Sequence, residues 1–234
     1  MQNILELQVV FEGEFFLAVD KPAGWLSVPS RYEQEDQRPC VGRILEERLH
    51  GNRIWPVHRL DQEVTGLMLW AKTSDAQRVA GEWFEKRLIL KTYEAWTEGV
   101  PGEGWKQGEE MLWESRLARG KKRAYEAKFG KNGATVAVWE NFLRLEGIDQ
   151  DLLKWKMRPL TGRPHQIRFE LMKHGCPVLG DKLYGAKQVF SGSGIALRAF
   201  SLDFKNIKDR SSWGLPEMIK IGGLSGFLYK KGDS

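Results

Sequence analysis

Between Lys91 and Leu160 the chain is a succession of strand-like segments separated by turn residues, and no other feature constrains its fold as much. Lys91–Glu98 alternates in character. Trp113–Arg119 and Arg123–Phe129 read as a hairpin around Gly120, and Ala134–Leu143 and Leu152–Leu160 as two further strands. A period of two sets alternate side chains on opposite faces, so such segments make sheets with one face inside. The flanks add more. Val9–Glu12 and Phe15–Asp20 read as short strands around Gly13. Gly66–Lys72 is an apolar run of the length of a buried strand, and Ala196–Phe204 is a last strand.

Helices are few. Val41, Ile44, Leu45 and Leu49 recur at a helical period. Ser74 followed by Gln77 is a capping-box signal that opens a helix through about Lys86. Pro164 stands where a helix favours its first residue, and Gly175 where one ends. Lys21–Gly24 reads as a turn and Gln34–Pro39 as a polar, mobile loop. No internal repeat or Ser/Pro-rich linker interrupts the chain, so residues 1–234 are expected to form a single domain. Many antiparallel strands with a few helices make it α+β, with a central mixed, mostly antiparallel sheet flanked by helices.

At 41% hydrophobic and 29% charged residues the composition is that of a globular protein, not a disordered one. No apolar stretch approaches the ~20 residues of a membrane helix. Glu6, Glu12 and Glu14 break the N-terminus, and no basic leader precedes them, so no secretory signal is expected. Cys40 and Cys176 fit a reduced, cytoplasmic protein better than a disulfide scaffold. The first fifty residues hold five Lys/Arg against nine Asp/Glu, a balance of −4 within a total of +5, which leaves +9 for the remainder. A basic body of this kind suits a polyanionic partner, although many cytosolic proteins are simply basic.

Two segments carry chemistry. In the first, His58-Arg59-Leu60-Asp61 runs directly into the apolar strand, which places Asp61 at the edge of a cleft. A surface ion pair would use the same residue types. In the second, Thr161–Leu171 (TGRPHQIRFEL), Arg163, His165 and Arg168 crowd the start of the expected helix. Cations at that end oppose the helix dipole, so the cluster points to a phosphate or carboxylate partner, or else to a solvated helix start. Lys121, Lys122 and Arg123 stand at the hairpin tip, where they can grip phosphates or simply solubilise a turn. His58 and His165 find no third metal ligand at a familiar spacing, so no metal is expected. Asp61 and Glu63 lie about 7 Å apart on an extended chain, so spacing alone leaves a glycosidase-like carboxylate pair open. No glycine loop of the dinucleotide or P-loop type is present.

These segments resemble the RluA family of RNA pseudouridine synthases. His58-Arg59-Leu60-Asp61 with Thr65-Gly66-Leu67 is similar to its central motif, and Lys21-Pro22-Ala23-Gly24 with Val28-Pro29 to its first. Lys91-Thr92-Tyr93 with Ala95 resembles its tyrosine motif, and Gly130-Lys131 with Ala134-Thr135 its later strand. Thr161-Gly162-Arg163, His165-Gln166-Ile167-Arg168, Gly175, Pro177, Gly180-Asp181 and Tyr184-Gly185 follow its third motif in order. The chain departs from the pattern at Val64 and Thr65, at Pro164 and at Arg198. Few residues precede Val9, so the family's N-terminal S4-like RNA-binding domain is expected to be absent.

The resemblance implies a pseudouridine synthase fold with two lobes around a basic catalytic cleft, and a monomer without cofactor. It implies that uracil is detached from C1′ of a uridine, turned, and rejoined through C5. Asp61 matches the reacting aspartate, which attacks C1′ or abstracts a sugar proton. Arg168 matches the cation paired with it. Tyr93 matches the pocket tyrosine, whose ring stacks on the uracil and whose hydroxyl relays the C5 proton. Ile167 forms part of the apolar floor. Arg59 matches the arginine that fills the place of the flipped base, and His58 is a structural support. Arg163, His165, Lys121, Lys122 and Arg123 complete the expected RNA contacts. The expected partner is a stem–loop of ribosomal or transfer RNA. The rival reading is a catalytically silent RNA-binding module on the same fold.

Overall fold

The computed structural model describes residues 7–29, 37–144 and 151–224. The chain divides into two compact units, one of residues 1–90 and 201–221, the other of 91–200 and 222–234.

In the first unit, β1 (Gln8–Glu12) and β2 (Phe16–Lys21) form an antiparallel hairpin. β2 pairs antiparallel with β4 (Thr65–Ala71) from Phe16↔Ala71 to Lys21↔Gly66, and the two-residue β3 (Trp55–Pro56) pairs with the end of β4. Every residue of β4 is buried, which is why its sequence runs apolar without alternation. Leu67, Leu69 and Ala71 pack on Ala76, Ala80 and Trp83 of helix α2 (Ser74–Glu85), spaced on one face of that helix. Trp70, on the opposite face of β4, reaches α1 (Val41–Arg48), where a Cβ on Gly42 would stand 3.2 Å from its ring. Phe16, Trp83 and Trp213 meet ring to ring in the same core, and truncating such rings costs about 3–5 kcal/mol each.

The second unit is built on an antiparallel path β5-β9-β8-β6-β7. Its strands are β5 (Leu90–Thr97), β6 (Glu110–Arg119), β7 (Ala124–Glu126), β8 (Lys131–Leu143) and β9 (Leu152–Pro159). Trp113, Ser115 and Leu117 of β6 and Gly133, Thr135, Ala137 and Trp139 of β8 are the buried alternate positions. Helix α3 (Gln166–Lys173) buries its first six residues and packs Phe169 on Leu117 and Tyr184. β10 (Leu197–Asp203) carries the chain from the second unit into the first, where its end pairs with β11 (Met218–Lys220).

The fold is α+β, as its sequence pattern indicates. Local boundaries differ in instructive ways. Thr73, not Ser74, caps α2, its hydroxyl accepting from Ala76 N at 3.1 Å. Arg123 and Phe129 fall in turns that leave β7 only three residues. Residues 34–36 of the expected polar loop lie outside the described residues; Gln37–Pro39 are exposed. Both cysteines are buried and unpaired, and burial pushes the Cys176 thiol up to about 11, where it is unreactive. No described helix is long and apolar enough to cross a membrane.

Candidate active site

In the first unit Asp61 opens a tight turn between β3 and β4, with Val64 N donating to its carbonyl at 3.2 Å. Its two neighbours are fastened to the segment after β2. The buried Ser27 hydroxyl accepts from Leu60 N (3.1 Å) and donates to Leu60 O (2.7 Å). Gln62 O accepts from Gly24 N (2.8 Å) and from Lys21 Nζ (3.1 Å), while Gln62 Nε2 donates to Gly24 O (3.2 Å). Gly24 sits at φ +82°, a conformation that the turn after Lys21 requires and that side chains rarely adopt. The backbone on both sides of Asp61 is thus fixed by residues 33 to 41 positions away in sequence.

Lys21 is fully buried, and its ammonium donates to the carbonyls of Pro22, Trp25 and Gln62. Burial lowers its pKa to about 8; the carboxylates of Glu63, Asp61 and Asp20 act against that shift. A desolvated cation therefore faces Asp61 and Glu63 from within the same unit. His58 Nε2 accepts from Leu69 N of β4 at 3.0 Å, and its ring lies 5.1 Å from that of Phe84. These contacts make it a support between β3 and β4. Arg59 is exposed.

The second unit holds the other motif residues together. Gln166, the first residue of α3, is a buried hub. Its Oε1 accepts from Thr161 Oγ1 (2.6 Å) and Arg163 N (3.0 Å). Its Nε2 donates to Ala134 O (2.9 Å) and Thr135 Oγ1 (2.8 Å). Thr161 Oγ1 accepts from Ala134 N at 3.0 Å. The Thr161–Arg163 loop, the start of α3 and β8 are therefore one network. The helix begins two residues after Pro164 because Gln166 has to stand over β8. His165 turns the chain into it at φ +53°, a left-handed conformation that costs a non-glycine residue about 1–3 kcal/mol. Its Nδ1 lies 3.2 Å from Tyr184 Oη, which also accepts from Ala124 N at 2.8 Å. Arg163 Nε donates to Asn132 O at 3.0 Å.

Arg168 and Asp181 form a two-pronged ion pair, Nε to Oδ2 at 2.6 Å and Nη2 to Oδ1 at 2.9 Å, with both side chains 1% exposed. The Asp181 carboxylate offsets the cost of a cation in the first turn of α3. The Arg168 guanidinium also lies 5.3 Å above the Tyr184 ring. Ile167 is buried beside it. Tyr93 is half-buried on β5, opposite Met157 of β9. Lys91 stands on the same face two residues earlier, and burial lowers its pKa to about 8. Lys121, Lys122 and Arg123 are exposed at the β6–β7 turn, closed by Gly120 N to Arg123 O at 2.9 Å. Among the described residues no three His, Cys, Asp or Glu side chains cluster as a metal site would.

The family model described as RNA pseudouridylate synthase matches residues 15–173 of this chain, a span that includes Asp61, Tyr93 and Arg168. The chain belongs to that family. It is 34% identical over 213 residues to the dual-specificity RNA pseudouridine synthase RluA of Vibrio parahaemolyticus, covering 88% of this chain and 79% of the relative. It is 30% identical over 206 residues to the protein of that name from Pasteurella multocida (86% and 87% covered). It is also 30% identical over 190 residues to the tRNA pseudouridine synthase C of Yersinia pestis (76% and 70%). Two solved human structures share the fold. RNA pseudouridylate synthase domain containing 4 superposes with a TM-score of 0.68 at 21% identity, over 94% of this chain and 90% of that one. Domain containing 1 gives 0.67 at 24%, over 85% and 78%. The chain is an RNA pseudouridine synthase, an isomerase, and the silent binding module is set aside.

Sequence reading found the motif residues of this synthase but not what holds them. Ser27, the three carbonyl contacts of Lys21, the Gln166 hub and the Asp181 partner of Arg168 are all tertiary. The one sequence signal for Asp181 was its place in the third motif.

The two low lysine pKa values have a direct readout. In isotope-labelled lysine NMR, two side chains are expected to titrate near pH 8. Lys21→Met and Lys91→Met should each remove one of the two. The unfolded chain keeps both protons up to about 10.5, so between pH 8 and 10.5 it binds more protons, and these groups add stability as pH rises. A spectrum in which every lysine titrates above pH 10 defeats this account.

Proposed function

We propose that this synthase isomerises uridines in a compact stem–loop of ribosomal or transfer RNA, with Asp61 as its reacting carboxylate. It works as a monomeric single catalytic domain in the cytoplasm. The observation that carries the assignment is the fastening of the backbone at Leu60 and Gln62, on either side of Asp61, by Ser27, Gly24 and Lys21. Four contacts spent on holding one short segment fit a carboxylate that must meet a reacting atom. The relatives' names support both RNA classes: the Yersinia protein is called a tRNA pseudouridine synthase, and a Rickettsia felis relative, 27% identical over 77% of this chain, a ribosomal large subunit pseudouridine synthase.

The reaction balances within the nucleotide. The C1′–N1 bond breaks, a C1′–C5 bond forms, C5 loses a proton and N1 gains one. No oxidant, water or cofactor enters the equation. Asp61 acts at the sugar, as nucleophile on C1′ or as base. Tyr93 stacks on the detached uracil and its hydroxyl relays the C5 proton. Arg168, oriented by Asp181, is the cation that serves the reacting carboxylate, and Ile167 contributes apolar floor. Arg59 takes the place of the flipped base, since an exposed guanidinium can stack on the neighbours of a vacated position. His58 supports the turn, and Arg163, His165, Lys121, Lys122 and Arg123 contact RNA.

The target class is tested by mapping pseudouridines in total RNA from cells with and without the gene. Sites lost only from messenger RNA would overturn the reading. The role of Tyr93 has its own test. Tyr93→Phe is expected to bind RNA normally and to stall at C5 deprotonation. Tyr93→Ala should also lose stacking, about 1–3 kcal/mol of affinity. Equal RNA affinity of the Phe and Ala variants would show that the ring does not stack on the target.

A further inference from the structure

The β6–β7–β8 edge of the second unit concentrates charge and exposed aromatic surface together. Residues 116–131 hold seven Lys/Arg against a single acid, Glu126, and all seven bases are exposed. Glu126 is already paired with Lys173 at 2.8 Å. In their midst Tyr125 is 42% and Phe129 76% exposed, their ring centroids 6.5 Å apart and their planes at 77°. The Tyr125 ring and the backbone that carries Phe129 are both held in place. A Cβ on Gly120 would lie 3.4 Å from two carbons of the Tyr125 ring, so that ring lies along the glycine. The turn that carries Phe129 closes with Gly130 N donating to Ala127 O at 2.8 Å. Gly130 presses on β6 so closely that a Cβ would stand 2.6 Å from the Arg116 carbonyl carbon and oxygen.

Two large rings left exposed on an edge strand and the turn that follows it carry a cost that charge alone would have avoided. Phosphates account for the lysines and arginines but not for the rings. An unpaired base accounts for the rings, because its flat face stacks on an aromatic side chain while its flanking phosphates meet the cations. Bases inside a duplex offer no free face, so the combination selects a loop over a stem. The patch is also rigidly tied to the reaction motifs. Ala124, beside Tyr125, donates to Tyr184 Oη, and that oxygen contacts His165 at the start of α3.

We propose that Tyr125 and Phe129 form a stacking platform for an unpaired base of the substrate RNA other than the target uridine, flanked by the exposed cations of the β6–β7–β8 edge. The inference rests on the stem–loop reading above and deepens it: the synthase reads the loop at a second position. A charged protein surface is the competing occupant.

The probes are a fluorescein-labelled RNA hairpin with a uridine-rich loop and a blunt RNA duplex with the same stem. The intact protein is expected to favour the hairpin. Tyr125→Ser/Phe129→Ser should weaken hairpin binding about tenfold and leave duplex binding unchanged. Tyr125→Phe/Phe129→Tyr should keep the preference. Lys121→Gln/Lys122→Gln should weaken both probes alike, since phosphates occur in each. Equal losses on hairpin and duplex for the Ser pair, or none on either, overturn the platform. So does a Ser pair that changes only the sedimentation of the protein, which would assign the rings to a protein contact. Tritium release from uridine-labelled total RNA by the unaltered protein reports separately on RNA as the substrate, so failure of that broader reading is seen even if both probes bind.

Discussion

Asp61→Asn is expected to abolish pseudouridine formation, with a loss of about four orders of magnitude or more, while RNA affinity stays within a few-fold. The substitution nearly preserves shape. The bonds from Ser27, Lys21 and Gly24 N end on the backbones of Leu60 and Gln62, and the substitution removes none of them. What it does remove is the oxygen charge to which attack on C1′ or removal of the sugar proton is assigned. Tritium release from C5 measures the loss directly. A second readout belongs to the same variant. The Asp61 carboxylate acts to raise the Lys21 pKa, so without it Lys21 should titrate below its value of about 8. Lower Lys21 titration with no turnover is the expected pair of results. Substantial turnover by the Asn variant would remove the central assignment.

How much of this was readable from the sequence depends on whether the cause was local. β4 was legible because a strand buried on both faces has to run apolar, and Gly66–Ala71 does. α2 was legible from its spacing, but its cap was misplaced by one residue because Thr73 and Ser74 are both capable caps and only the fold chooses. At Pro164 a sound local rule lost to a tertiary demand. Proline suits the first helical position, yet the chain spends Pro164 and a left-handed His165 on a turn that brings Gln166 over Ala134 and Thr135. β3 and β11, of two and three residues, carry no periodicity at all; pairing with β4 and β10 alone makes them strands.

The same division runs through the candidate site. Motif order pointed to Asp61, Tyr93 and Arg168, because residue type and sequence are what motifs record. It did not reveal that Lys21 gives up its whole ammonium to three carbonyls, nor that Ser27 grips both polar groups of Leu60. A lysine and a serine in a turn look alike whether they solubilise the surface or hold a distant backbone. Burial distinguishes them, and burial is a property of the folded chain. Arg168 illustrates the point on the other side: the resemblance pairs it with Asp61, and the fold adds a carboxylate within its own unit, Asp181.

Arg168→Met should therefore damage the protein twice, and the two injuries can be separated. Removing the guanidinium leaves Asp181 buried at 1% exposure without the partner that takes both its oxygens. Breaking a buried pair from one side costs about 3–5 kcal/mol, a large share of the stability of a domain. Denaturant unfolding should show that loss, and tritium release should show loss of turnover. Arg168→Met/Asp181→Leu replaces both charges with apolar volume. A pair exchanged in this way is often neutral or stabilising, so the double variant should regain most of the lost stability. It should not regain turnover, because the cation assigned to the reacting carboxylate is still missing. Asp181→Asn alone should fall between, keeping the cation but loosening its orientation. If the double variant recovered activity along with stability, Arg168 would be a structural side chain only, and its role in the chemistry would be withdrawn.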